Sequence, residues 1–373
     1  MLITPYLALD PARMDRNIER LQARLTRLGP GLRPHVKTAK SLEVARRMCG
    51  GDAGPITVST LREAEEFAAG GFRDILYAVG IAPQKLGRVT ALRAGGVDLC
   101  VLLDSVEQAR AVAEASKSAG APIPALIELD ADGHRAGLLP DDPAIVEIAG
   151  ILRDGGAEPR GVMVHAGESY NCTTPACLSA AAENERTTAV SAAERLREAG
   201  FESPVVSVGS TPTAHSAESL TGVTEVRAGV YVFFDLVQAG IGVCTVDDIA
   251  IWVVATVIGH RPDKGWILTD AGWMAMSRDR GTAAQAVDQG YGPVAAMDGE
   301  PFHDIIVAAA SQEHGTIAAR RGSRAALPDL RVGDQVRIYP NHACATAAQH
   351  ERYQIVGGDG MPTGEVWPRF SGW

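Results

Sequence analysis

The chain is poor in lysine and in aromatic side chains. Lysine and arginine total 35, yet only five are lysines: Lys37, Lys40, Lys85, Lys117 and Lys264. Any lysine chemistry therefore has few places to live. Phe, Trp and Tyr make up 5% of the residues. No basic cluster exists that could track a phosphate backbone, and the formal net charge is −10, which argues against nucleic-acid binding. Long apolar runs are also missing. Ile249–Gly259 is too short to cross a bilayer and Val230–Cys244 is interrupted by Asp235. The opening MLITPYLALDPARMDRN has no basic start, and Asp10 breaks its apolar run, so it does not read as a signal peptide. The six cysteines (Cys49, Cys100, Cys172, Cys177, Cys244, Cys344) show no paired spacing of a disulfide framework, and a reducing, cytoplasmic setting is the expectation.

What is present is ordinary globular composition, 46% hydrophobic and 21% charged, which excludes disorder. A length of 373 residues suits one large domain of about 230 residues and a smaller one. Apolar, β-rich runs alternate with amphipathic ones through the first two thirds. Strands are predicted at Leu32–Val36, Ile56–Ser59, Asp74–Val79, Asp98–Leu103, Pro124–Leu129, Gly161–His165, Val205–Val208 and Thr224–Ala228. Helices are predicted between them, among them Ser59–Ala69, Ser105–Ala119 and Ser179–Ala199. Eight strands alternating with helices make the α/β arithmetic of a closed (β/α)8 barrel. A doubly wound sheet is the rival, weakened because no G-x-G-x-x-G follows the first strand. After about Gly240 helical periodicity nearly vanishes. Strands at Ile249–His260, Gly265–Asp270, Asp304–Ala309 and Gln335–Tyr339 predict a mostly-β C-terminal domain, which Thr4–Ala8 could join. The partition is 9–240 for the barrel and 241–373, with 1–8, for the β-domain.

Active sites of such barrels sit at the C-terminal ends of the strands. The first strand ends in R-P-H-V-K-T, which puts His35 and Lys37 on one alternating face. The fifth runs into D-A-D-G-H-R-A-G, with His134 and Arg135. The sixth ends in V-H-A-G-E-S-Y, with His165 and Tyr170. The seventh ends in V-G-S-T-P-T and the eighth in R-A-G-V-Y, with Gly229 and Tyr231. Gly209 and Gly229 would let amides approach an anion, and Ser210 and Thr211 would add hydroxyls; two ordinary turns are the alternative. Lys37 follows an apolar strand, and burial at the mouth would favour the neutral amine that a Schiff base requires; a solvated lysine is the alternative. A Schiff-base lysine with a phosphate loop indicates pyridoxal phosphate.

In the β-domain, Pro340-Asn341-His342-Ala343-Cys344 would project His342 and Cys344 to one side of an extended segment. Imidazole and thiolate suit zinc, and two protein ligands leave positions open for water or substrate. A packed histidine beside a buried cysteine is the alternative reading. His314, in S-Q-E-H-G, either lines the same cavity or caps a turn.

Six motifs in order carry a family resemblance: P-H-V-K-T (Pro34–Thr38), D-x-D-G-H-R-x-G (Asp130–Gly137), H-A-G (His165–Gly167), V-G-S-T-P-T (Val208–Thr213), R-A-G-V-Y (Arg227–Tyr231) and P-N-H-x-C (Pro340–Cys344). Over essentially the whole chain the sequence resembles the fold-type III pyridoxal-phosphate enzymes of the D-serine dehydratase and D-threonine aldolase group. It is most similar to the bacterial dehydratases of threo-3-hydroxy-D-aspartate, through Val205–Leu236 and the run Asp270–Thr282 (DAGWMAMSRDRGT). The resemblance implies an alanine-racemase-like barrel followed by a β-domain, and a homodimer. It implies that Lys37 is the Schiff-base lysine, that Arg135 approaches the cofactor's phenolic oxygen, and that Ser210–Thr211 and Gly229–Tyr231 hold its phosphate. His35, His165 and Tyr170 count with them as cofactor-binding residues.

By the same resemblance His342 and Cys344 are ligands of one divalent metal. Zinc suits the thiolate best, and magnesium or manganese is poorly matched to it. The aldolase branch shows His-x-Asp there, so His-x-Cys favours elimination of water from a 3-hydroxy-D-amino acid, with Lys37 and the metal site as catalytic groups. The rivals are a retro-aldol enzyme releasing glycine, a racemase, and a non-catalytic carrier of pyridoxal phosphate.

Overall fold

The computed structural model describes every residue except Met1, Asp52 and His134. The chain forms two compact units, one of residues 20–229 and 370–373, the other of residues 1–19 and 230–369. The first strand, Tyr6–Leu9 (β1), belongs to the second unit.

The next eight strands build the first unit: Gly31–Leu32 (β2), Ile56–Val58 (β3), Asp74–Gly80 (β4), Asp98–Leu103 (β5), Pro124–Leu129 (β6), Glu158–Val164 (β7), Val205–Val208 (β8) and Glu225–Val226 (β9). All pair in parallel, in the order β2-β9-β8-β7-β6-β5-β4-β3. The chain beyond β2 closes the ring on β3 through a parallel bridge between His35 and Thr57. There Thr57 N–H donates to the Pro34 carbonyl at 2.8 Å, and Val36 N–H to the Thr57 carbonyl at 2.9 Å. The eight-stranded barrel is thus present. β5 and β6 are buried along almost their whole length, which is why they read as unbroken apolar runs. Leu76, Cys100, Leu102, Leu126 and Met163 pack together in the core.

Four sequence expectations are corrected here. The first strand is not continuous over Leu32–Val36, because Pro34 has no N–H to offer a ladder and only the His35 bridge continues it. The helix expected from Ser59 is Leu61–Ala69, capped by Thr60, whose Oγ1 accepts the Glu63 N–H at 3.1 Å; Ser59 N–H donates instead to the Glu63 carboxylate at 3.1 Å. The helix expected from Ser179 starts at Pro175, with Thr174 as its cap and proline at its first position. That earlier start brings Cys177 back toward Cys172, and the two form a disulfide with a Cα–Cα distance of 5.5 Å. The cysteines therefore do contain one pair, a local one that no framework spacing announces.

The second unit is a nine-stranded sheet. It contains Ile251–Arg261 (β10), Trp266–Thr269 (β11), Pro293–Ala295 (β12), Pro301–Ala310 (β13), Gly315–Ala319 (β14), Gln335–Ile338 (β15), Arg352–Val356 (β16) and Pro362–Pro368 (β17). The order is β11-β14-β13-β12-β15-β10-β1-β16-β17, and β10 also pairs with β11, so six strands close into a circle. β1 does join this unit, antiparallel to β10 and parallel to β16. No helix among the described residues is long and apolar enough to cross a membrane.

Candidate active site

The C-terminal ends of the barrel strands gather a set of basic groups. Residues 36–39 form a turn after the His35 bridge, closed by Lys40 N–H donating to the Val36 carbonyl at 2.8 Å, and this turn carries Lys37. Lys37 is exposed, not buried as expected, because it stands in the turn and not on the strand. The other lysines are otherwise engaged or distant from the strand ends. Lys40 Nζ lies 3.3 Å from the buried Glu63 carboxylate. Lys85 Nζ donates to the Tyr77 hydroxyl at 3.0 Å, and Lys264 stacks over Trp266. Lys117 is in the last turn of the helix Val106–Ala119. Among the described residues Lys37 has no such partner.

Two histidines face the same charges. His165 follows β7 and its Nδ1–H donates to the Gly209 carbonyl at 2.8 Å, which leaves Nε2 as an acceptor. Burial, opposed by that hydrogen bond and reinforced by Lys37, Arg227 and Arg135, pushes its pKa down to about 3. His35 is lowered well below the usual histidine value, first by burial and then by Lys37, Arg227 and His165. Both imidazoles are neutral near pH 7, and the shared causes place Lys37, Arg227, His35 and His165 in one field. Arg135 lies in the loop after β6, mostly exposed, with its guanidinium 3.6 Å from the buried Glu128. His134, in the same motif, lies outside the described residues. Tyr170 is half-buried in the single turn Gly167–Asn171 after β7.

The loop after β8 differs from its sequence reading. Gly209 does not offer its amide to an anion: its N–H donates to Glu185 Oε1 at 3.0 Å. It is glycine because a Cβ there would meet the Arg227 carbonyl oxygen, at a φ of +144°. Ser210 caps the short helix Thr211–Ser216, with its hydroxyl shared between Thr213 and Ser169, both at 3.0 Å. Gly229 packs against the His35 carbonyl, where a Cβ would stand at 2.8 Å. Tyr231 lies beyond the boundary of the first unit, buried in the single turn Val230–Val232.

Two site residues escaped the sequence reading. Glu185, on the helix Pro175–Glu198, accepts from Ala166 N–H at 2.9 Å as well as from Gly209, so one buried carboxylate ties the loops after β7 and β8 together. Its sequence signal is a carboxylate in helical phase with the buried Leu178, Ala182, Ala189 and Ala192. Arg227 is fully buried, donating to Ser207 Oγ at 2.5 Å and to the Val164 carbonyl at 2.6 Å. Its motif, R-A-G-V-Y, was visible without its role.

The second unit carries the other constellation. His342 and Cys344 do not share an extended segment. His342 precedes the helix Ala343–Ala347 in an extended conformation and Cys344 sits in that helix's first turn. They still converge, because the two side chains are hydrogen-bonded to each other. His342 Nδ1–H donates to Asp279 Oδ2 at 2.7 Å. Against burial, the negative charge of Cys344, the bond to Asp279 and the nearby Asp235 raise the His342 pKa to about 11, so the surroundings favour a positive charge. His314 is exposed in the β13–β14 turn, its carbonyl accepting from Ser311 N–H at 2.8 Å, which is the capped-turn reading.

Known proteins match this architecture throughout. The model of the alanine racemase N-terminal domain matches residues 9–237, and that of a "Putative serine dehydratase domain" matches residues 250–356. The chain is 52% identical to a D-threo-3-hydroxyaspartate dehydratase from Delftia sp. (strain HT23), over 100% of this chain and 98% of that one. It belongs to the fold-type III pyridoxal-phosphate enzymes of the D-serine dehydratase and D-threonine aldolase group. The solved structure of the Delftia enzyme superposes with a TM-score of 0.96 at 51% identity, covering 100% of this chain and 99% of that one. A D-threonine aldolase from Filomicrobium marinum superposes at 0.83 with 27% identity, covering 98% and 95%.

The residues fit the groups that this family uses. A lysine with no partner among the described residues, in the turn after the first strand, together with two arginines and two neutral imidazoles suits an aldehyde that carries a phenolic oxygen and a phosphate. His35 Nδ1 is buried with no hydrogen-bond partner among the described residues, which is a place for a ligand atom. For the metal, the donors are a thiol and an imidazole whose Nδ1 is already committed, in surroundings that favour positive charge. No group of three His, Cys, Asp or Glu side chains among the described residues could hold an ion, so open positions would fall to water or substrate.

Proposed function

We propose that this chain is a pyridoxal-phosphate- and divalent-metal-dependent dehydratase that removes water from a 3-hydroxy-D-amino acid and yields a 2-oxo acid and ammonia. Threo-3-hydroxy-D-aspartate would give oxaloacetate, and D-serine would give pyruvate. The observation that carries this reading is Cys344 beside His342, where the aldolase branch has His-x-Asp. The 52% identity to a dehydratase supports it, against 30% to a D-threonine aldolase of Arthrobacter sp.

The roles follow from the chemistry. Pyridoxal phosphate, held by residues 9–240, supplies the electron sink for cleavage at Cα. Lys37 would hold the cofactor, and its Nζ, as the free amine, would be the base that takes the Cα proton. Arg135 would set its charge against the phenolic oxygen. His35, His165 and Tyr170 would shape the binding mouth, and the segments of Ser210, Thr211, Gly229 and Tyr231 would hold the phosphate. His342 and Cys344, in the second unit, would hold one divalent cation, zinc by donor softness, to assist departure of the β-hydroxyl as a Lewis acid. Solved variants of a D-threo-3-hydroxyaspartate dehydratase replace a histidine and a cysteine two positions apart, the latter in a metal-free form, which supports a metal at His342 and Cys344. The family resemblance favours a homodimer; the cytoplasmic setting rests on the cysteine spacing alone, and the local Cys172–Cys177 disulfide weighs against it. A fully active monomer by sedimentation at micromolar concentration would overturn the dimer.

The test is product analysis. Incubation with 3-hydroxy-D-aspartate, D-serine and D-threonine should release ammonia and no glycine. Glycine as the main product would make the chain an aldolase, and recovery of the opposite enantiomer alone would make it a racemase.

A further inference from the structure

The run Asp270–Thr282 is left without a task by the roles above, yet the structure stitches it to the His342 segment along its length. Thr282 donates to Asn341 Oδ1 through both its N–H, at 3.2 Å, and its hydroxyl, at 2.5 Å. Asn341, itself buried, donates from Nδ2 to the Gly290 carbonyl at 2.8 Å. Further along, the Thr346 hydroxyl donates to the Met276 carbonyl at 2.8 Å, and His350 Nε2–H to the Ala275 carbonyl at 2.9 Å. Between these ties the helix Trp273–Met276 ends at Ser277, whose φ of +76° is the left-handed region that an L side chain rarely adopts. Ser277 Oγ then accepts the Asp279 N–H at 3.1 Å. A backbone held in that way at Ser277 aims Asp279 at His342, and the result is the 2.7 Å bond from His342 Nδ1–H to the Asp279 carboxylate.

We propose that Asp279 is a positioning residue of the metal site. By accepting the Nδ1 proton it fixes the His342 tautomer and ring orientation, so that Nε2 is the nitrogen presented to a divalent cation. An imidazole ligand needs this: only one nitrogen can be metallated while the other keeps its proton, and a carboxylate on that proton raises the ligand's basicity. The inference rests on the metal reading of His342 and Cys344 given above.

The experiment is zinc titration of the cofactor-loaded protein, read by calorimetry with a competing chelator, for the wild type, Cys344→Ala, Asp279→Asn and Asp279→Ala. Which His342 nitrogen keeps its proton is followed in parallel by 15N-histidine NMR of the zinc-loaded proteins. The expected result is zinc affinity lower by about 10–100-fold in both Asp279 variants. Cofactor absorbance should be unchanged, and the Nδ1-protonated signal of His342 should be lost or mixed. Wild-type affinity in Asp279→Asn and Asp279→Ala, with an unaltered tautomer, would overturn the proposal. A loss greater than about 1000-fold would overturn it in the other direction, making Asp279 itself a ligand. If the wild type binds zinc no better than Cys344→Ala, it is the metal reading of His342 and Cys344 that fails.

Discussion

The two ends of the barrel handle charge in opposite ways. At the N-terminal ends of the strands a network of charges is paired with opposite neighbours. Asp98, the first residue of β5, accepts from Arg160 at 2.7 and 3.0 Å and from Arg93 at 2.9 Å. Arg160 also bonds Glu158 at the start of β7, and Arg33 bridges Asp74 and Glu225 at 2.7 Å each. At the C-terminal ends Lys37 has no partner among the described residues, Arg135 touches Glu128 only at 3.6 Å, and His35 and His165 are held neutral by burial and by like charge. Paired charges fasten one end. Charges left over at the other end are a surplus that folding alone does not explain, and an anionic ligand would complete them.

That contrast can be broken most severely at Lys37. Lys37→Ala should remove the cofactor's absorbance at its lysine linkage and lower turnover by about 1000-fold or more, while thermal stability stays near wild type. A variant that keeps the linkage absorbance would show that another lysine carries the cofactor.

A smaller effect is expected from His165 and is read as pH dependence. Its folded pKa of about 3 lies below the value of about 6.5 for a free histidine, so the unfolded chain binds the extra proton between those values. Stability is complete above about pH 6.5 and is lost as pH falls through the folded value, with a slope of up to about 1.4 kcal/mol per pH unit from this group. Denaturant melts of His165→Asn between pH 6 and pH 4 should show a flatter loss than the wild type. An unchanged slope would mean that His165 is not held neutral.

The smallest effect belongs to the paired end. Asp98→Asn should cost under ~1 kcal/mol, because the cluster is partly exposed and screened by solvent. It should leave turnover unaltered. Reduced turnover at unchanged stability would contradict the division between the two ends.

The same contrast explains what was legible in the amino-acid sequence. The buried strands β5, β6 and β8 carry the bounds expected of them, since apolar runs flanked by turns leave little choice. Strand-end positions then pointed to His35, Lys37, Arg135 and His165. Glu185 was invisible because the groups that bring it into the site, the amides of Ala166 and Gly209 among them, lie in distant loops. The loop amide of Gly209 was misread for the same reason: its partner is supplied by the fold. In the second unit β12, β14, β16 and β17 went unnoticed, being short or carrying Gly and Pro, so their pattern is weak. His342 and Cys344 were found through adjacency, whereas Asp279, 63 positions away from His342, needed the tertiary structure.

The central claim is that cofactor and metal are held by different residues and that both are needed for elimination. The direct measurement is ammonia release from 3-hydroxy-D-aspartate by the chelated protein, with the cofactor absorbance recorded in the same sample. The account predicts that ammonia release is lost, that the absorbance is retained, and that zinc restores activity to the wild type but not to Cys344→Ala. Undiminished ammonia release from metal-free protein would contradict it.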